Sequence, residues 1–333
     1  MKFHQFKIRF VENKKIFFGI SIAVLLIGVI FNVIFGARLD IQFTGGAIVN
    51  YSFTGEINTD ELAALVEETT GKSVNVNEST DIVAGEDGTI NNNVSIEFAG
   101  NDALSLEGQK AMEDAIQEKY PDNGFQKLES DSVDPVNGEK FLLKCLCAVG
   151  LAAVLMIIYI AFRFRKIGGW SAGVVAVIAL LHDVAVIYFT FVVFRMPVDD
   201  NFIAVVLTIL GYSLNDTIII YDRIRENRRI MGPRAEIGEL VNTSINQTLT
   251  RTINTSVATV MAVGVVVVVG LVYNLSSVVT FALPLMFGII CGCYSSTCIT
   301  GPLWVVWRRY RAKKLDAKKG PSGYAGKLQN RNH

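Results

Sequence analysis

The run Phe202-Ile203-Ala204-Val205-Val206-Leu207-Thr208-Ile209-Leu210-Gly211-Tyr212-Ser213-Leu214-Asn215-Asp216-Thr217-Ile218-Ile219-Ile220-Tyr221 carries one carboxylate in an otherwise uncharged stretch. It ends in Asp222-Arg223-Ile224-Arg225-Glu226-Asn227-Arg228-Arg229. A hydrocarbon core about 30 Å thick takes about 20 residues of helix, and the run has that length. A carboxylate inside such a span costs roughly 2.5 kcal/mol or more on insertion scales, so it persists mainly beside a partner or a polar path. Asp216 is therefore the first candidate for function.

Five further segments qualify as spans: residues 16–35, 141–162, 167–194, 253–273 and 278–306. With 51% hydrophobic residues gathered into blocks, the expected fold class is a polytopic α-helical membrane protein with six transmembrane helices. Lys14 and Lys15 precede the first span as in a signal peptide. Its uncharged run is too long for that, and no small-x-small site follows Phe35, so it is read as a retained anchor.

A net charge of zero conceals segregation. Residues 38–138 hold 20 Asp/Glu against five Lys/Arg, whereas basic residues cluster at 2–15, 163–166, 223–234 and beyond 308. Six crossings bring all four basic clusters to one side, which by the positive-inside rule is cytoplasmic. The expected organisation is residues 1–36 as cytoplasmic N-terminus and first helix, and 37–138 as an extracytoplasmic domain. Residues 139–307 form the remaining bundle, with a cytoplasmic loop at about 222–252, and 308–333 a basic cytoplasmic tail. Both termini are expected on the cytoplasmic side. Cys145, Cys147, Cys291, Cys293 and Cys298 all fall in apolar spans and read as packing residues, without a disulfide framework or a metal site.

Within 37–138, alternating residues at 46–53, 72–77, 93–98 and 125–133 predict strands, while 60–70 and 103–120 predict helices. Asn58 or Thr59 caps the first helix, Gly71 stops it, and Leu62, Leu65 and Val66 line one face. Met112, Ala115 and Ile116 line the second, which Pro121 ends. A turn-rich loop is expected at 85–88. The order β-α-β-β-α-β is that of a ferredoxin-like split βαβ unit, with no nucleophile–base pair, nucleotide loop or metal cluster. It reads as a contact domain.

Two further ionisable positions bear on the membrane. Asp216 lies about 10 Å along the helix from Arg223, and Arg251 enters the next span at similar depth. Asp216 shares a stripe with Thr208 and Tyr212, and Arg251 shares one with Thr248, Thr255 and Thr259. Facing stripes would form a hydrated seam, or else a fixed ion pair that merely orients helices. Asp183 lies near the centre of the third span beside His182. Being adjacent, the two are expected to face different ways. A carboxylate moving between an apolar setting and an Arg partner would bind and release a proton, and each proton crossing brings roughly 2.3 kcal/mol per 100 mV.

Four segments together resemble the SecF family of protein-export subunits, partners of SecD within the resistance-nodulation-division superfamily. They are Leu39-Asp40-Ile41-Gln42-Phe43-Thr44-Gly45-Gly46, Leu181-His182-Asp183, residues 211–227, and Arg251-Thr252-Ile253-Asn254-Thr255-Ser256. Asp134 departs from the family pattern, where glycine is expected.

The resemblance implies a non-enzymatic subunit, placed in a bacterial inner membrane, that couples the proton-motive force to late protein translocation. Protons are the coupling ion, and no cofactor or metal is involved. Asp216, Arg251 and Asp183 match relay positions, with Asn215, Thr217, Tyr212 and Thr255 as supporting polar groups. Asp40, Gly45 and Gly46 match the signature turn. Implied partners are SecD, the SecYEG channel, the translocating unfolded polypeptide, and YajC and YidC, with no nucleic acid. Two other readings stay open: a stand-alone small-molecule exporter of the superfamily, and a scaffold that conducts no protons.

Overall fold

The computed structural model describes residues 8–40, 43, 46–80, 92–99, 106–133, 135–232, 234–273 and 275–318. Gly45, Asp134 and the loop expected at 85–88 lie outside them. Six helices are long and apolar enough to cross a membrane. They are α1 (Lys14–Phe35), α4 (Pro135–Arg163), α5 (Gly169–Val193), α6 (Asp200–Met231), α7 (Ile237–Val272), and α8 (Ser276–Tyr294) continued through a π-helical segment, Ser295–Thr300, into α9 (Gly301–Lys318). The chain is a multi-pass membrane protein. Leu26, Ile30 and Val33 of α1, with Leu143, Leu151 and Phe162 of α4, stay exposed as lipid-facing groups do. α5 and α6 are the most enclosed spans, and α5 packs against α1, α4, α6 and α8.

Between α1 and α4 lies the small sheet: β1 (Gly46–Phe53), α2 (Thr59–Thr70), β2 (Val74–Thr80), β3 (Asn92–Ala99), α3 (Leu106–Lys119) and β4 (Gln126–Val133). All pairings are antiparallel in the order β2-β3-β1-β4, the strand order of a split βαβ unit. Alternation builds the core: Val49, Tyr51 and Phe53 with Val94, Ile96 and Phe98 face Leu62, Val66, Met112 and Ile116. Asn58 caps α2 by accepting from Asp60 N at 3.0 Å and Glu61 N at 3.3 Å. Gly71 ends α2 at φ 68°, a left-handed conformation suited to glycine.

The domain is latched to the bundle at its first residues. Asp40 N donates to Val198 O (3.1 Å) and Val198 N to Arg38 O (2.8 Å). Phe43 is buried in the core that includes Phe191 and Val206, and its ring stacks on Phe141. Asp40 is buried there, and Gly46 opens β1 at φ 148°.

The expected 222–252 loop is mostly helix. α6 continues to Met231 and α7 begins at Ile237, leaving a short turn. The reason is pairing along the two extensions. Asn227 Nδ2 donates to Ser244 Oγ (2.9 Å) and Gln247 Oε1 (2.8 Å), and Arg223 Nε to Gln247 Oε1 (2.6 Å). At the same end Ile8 N donates to Asn246 Oδ1 (2.9 Å) and Val11 N to Asn242 Oδ1 (3.0 Å), pinning the N-terminal segment to α7. The end span is likewise not one uninterrupted α-helix, because the π-helical segment falls within it.

Candidate functional site

On α6 the residues 213–217 fall between two apolar clusters, one reaching Leu210 and the other starting at Ile220. Into that gap α5 sends Asp183, and α8 with its π-helical continuation sends Cys291, Ser295 and Ser296. Helix approach is close here: a Cβ at Gly292 would stand 3.0 Å from Ser213 Cβ. The π-helical segment shifts register by one residue, a device frequent at functional sites. It buries Ser295 and Ser296 side by side in the bundle.

Asp183 is 0% exposed and well satisfied. Its Oδ2 accepts from Ser213 Oγ (2.8 Å) and Ser295 Oγ (2.7 Å), and its Oδ1 from Cys291 Sγ (3.3 Å). His182 Nδ1 lies 3.2 Å from the same Oδ1 and 3.6 Å from Cys291 Sγ. The expectation that His182 and Asp183 face apart is thus corrected. Both contact Cys291, which sits over the seam between their adjacent faces. Cys291 is correspondingly more than a packing residue. The His182, Asp183 and Cys291 donor atoms lie within 4.8 Å of one another, a set that could hold a transition metal. Hydrogen bonding accounts for the same arrangement.

From Asp183 a line of hydroxyls runs toward the second carboxylate. Ser213 Oγ is 3.4 Å from Ser296 Oγ, which is 3.0 Å from Thr217 Oγ1. Thr217 adjoins Asp216. Asp216 is 3% exposed, and its Oδ2 is buried without a hydrogen-bond partner. Arg251 is near enough to act on it electrostatically. Among the described residues, however, no ion pair within 4.0 Å involves Asp216. Thr252 Oγ1 and His182 Nε2 are likewise buried and unpartnered. Such groups cost about 1–3 kcal/mol each when left unpaired, and strain, bound water or function can account for them.

The expected meeting of polar stripes occurs at one level. Tyr212 OH reaches Ser256 Oγ (3.5 Å) and Thr259 Oγ1 (3.4 Å). Thr208 and Thr255 instead bond their own helix backbones, at Ala204 O and Arg251 O, and are exposed, as is Asn215. A cavity of ≈ 630 Å³ lined by Ile219, Arg223, Thr248 and Arg251 opens from the end carrying the α6–α7 turn. Arg251 therefore stands between an open cavity and a buried acid. Sequence reading missed Ser213, Ser295 and Ser296; the one available signal was a Ser-Ser-Thr run, Ser295 to Thr297, inside an apolar span.

Residues 112–310 match the family model described as protein export membrane protein SecD/SecF, C-terminal. The chain is 30% identical to the protein translocase subunit SecF of Sebaldella termitidis, covering 94% of this chain and 96% of that one. It is also 30% identical to the subunit SecDF of Bacillus subtilis, covering 93% of this chain but 39% of the relative. The crystal structure of SecDF from Thermus thermophilus, a translocon-associated membrane protein, aligns with a TM-score of 0.72 at 27% identity. That alignment covers 91% of this chain and 39% of that one. The chain thus spans about two fifths of the SecDF proteins it matches and nearly all of the SecF protein.

Proposed function

The chain belongs to the SecD/SecF family of protein export membrane proteins, and from that membership we propose that it works as a proton-driven subunit of protein translocation. In this reading Asp216 takes up and releases a proton as Arg251 approaches and withdraws. The observation that carries it is the buried Asp216 oxygen without a partner, beside an arginine that does not pair with it. A fixed ion pair would close that contact. An acid poised to exchange a proton needs the contact open in at least one state.

The basic end is cytoplasmic and the sheet domain outside, on the positive-inside rule. Protons would enter from the domain side and leave past Arg251 through the open cavity. Asp183 acts as a positioning anchor and joins the relay through Ser213, Ser296 and Thr217. Motion reaches the domain through α4, which rises directly after β4, and through the Arg38–Asp40 latch on Val198. SecD supplies the facing half, since SecDF relatives carry more than this chain. SecYEG and the unfolded polypeptide are the working partners, with YajC and YidC as associated proteins.

The test uses inverted vesicles energised only by a proton gradient. Asp216→Asn should abolish late-stage export while insertion and SecD binding stay normal. Unchanged export would leave the scaffold reading, and altered drug efflux with intact secretion would favour an exporter.

A further inference from the structure

A second cavity, ≈ 580 Å³, lies where α4 ends, α5 begins and α9 leaves the bundle. Arg165, Arg308 and Arg311 line it together with Gly168, Trp170 and Ser171, and no carboxylate is among the lining residues. Among the described residues none of the three arginines is in an ion pair. Arg165 stacks on Phe162 at 4.3 Å from the ring centre, and Arg308 stands over Trp304 and donates to Ile167 O at 3.3 Å. Arg228 and Arg311 are both close enough to repel Arg308. Like charges gathered without a counter-ion are unfavourable unless an anion offsets them.

The rim says which anion. Trp170 in the lining is 68% exposed, and Phe162, on which Arg165 stacks, is exposed as well. Trp and Tyr at span ends sit at headgroup level, so the mouth faces the interface where lipid phosphates lie. Gly168, at φ 98°, keeps the cavity open to Arg308, since a Cβ there would lie 2.6 Å from Arg308 Nη1. Planar guanidinium groups suit phosphate oxygens, which they can bind in pairs.

We propose that this cavity binds the phosphodiester headgroup of an anionic glycerophospholipid, such as phosphatidylglycerol. Binding is independent of the proton-relay reading and is measured without export. The full-length protein, purified in detergent and titrated with phosphatidylglycerol or phosphatidylcholine, is read by native mass spectrometry. The expected result is preferential retention of phosphatidylglycerol. The exposed pair Arg165→Gln and Arg311→Gln should weaken it about tenfold or more, the loss of a charge-assisted bond, while Arg234→Gln, outside the cavity, leaves it unchanged. Equal retention of the two lipids, or equal loss with Arg234→Gln, would overturn the proposal. Displacement by millimolar inorganic phosphate, with the same arginine dependence, would assign a soluble phosphate instead of a lipid. Displacement by an acidic peptide alone would assign a protein partner.

Discussion

Ser295 Oγ, delivered by the π-helical segment, donates to Asp183 Oδ2 at 2.7 Å across the interface between the last span and α5. The register shift and the buried carboxylate therefore depend on each other. Ser295→Ala removes one of two hydroxyl donors from that oxygen and should destabilise the detergent-solubilised protein by about 1–2 kcal/mol. Thermal unfolding checks this. An unchanged midpoint would mean that Ser213 alone satisfies the acid.

Close approach of α8 to α6 depends on Gly292. An alanine there would place its Cβ 3.0 Å from Ser213 Cβ and 3.3 Å from Ser213 Oγ. Ser213 would have to give way by a few tenths of an ångström, and overpacking of this kind costs about 1–3 kcal/mol. Gly292→Ala should lower stability and also break the Ser213–Asp183 bond. An isotope-edited carboxylate infrared band would move with it. A Gly264→Ala control, whose Cβ would meet only Met286 Sδ at 4.0 Å, should be silent.

How much of this is legible beforehand varies with the range of the interaction. Asn58 and Gly71 act on their own helix ends, so local chemistry locates α2 to within a residue. The six spans follow from hydropathy alone. Asp216 stands out because a charge in an apolar run has no local explanation. The role of Cys291 is invisible in sequence, since its partners His182 and Asp183 lie over 100 positions earlier. The π-helical turn leaves no single-residue mark. Asn215 reads as a companion of Asp216 by adjacency, yet a step of about 100° along the helix sends it outward.

At the domain–bundle junction, burial is the leading cause that raises the carboxyl of Glu97 above its ordinary 4.5, with nearby Asp40 and Asp199 adding to it and the amides of Asn75 and Asn77 opposing it. Burial likewise leads in raising Asp199, with Asp200 and Asp40 adding. An acid whose folded value is raised holds its proton more tightly when folded. Its penalty is therefore full at neutral pH and is relieved as pH falls through the folded value toward the unfolded one. Mild acid should tighten the junction, seen as slower amide exchange near Val198. Glu97→Gln should flatten that dependence and stabilise the junction at neutral pH. The opposite slope would remove these acids from the account.

Asp216 and Arg251 offer the sharpest separation between a moving relay and a brace. If the pair were a permanent ion pair, removing Arg251 would leave the buried Asp216 carboxylate uncompensated and cost several kcal/mol, and removing both would restore stability. The structure has no such contact within 4.0 Å among the described residues. Asp216→Asn, Arg251→Gln and their double variant should accordingly fold with midpoints near wild type and a coupling energy below about 0.5 kcal/mol. All three should nonetheless lose gradient-driven export. Arg251→Lys keeps the charge and should retain part of it, because a mobile cation rather than a bidentate fork is what the acid requires. A large coupling energy with export rescued in the double variant would establish the brace and remove the relay.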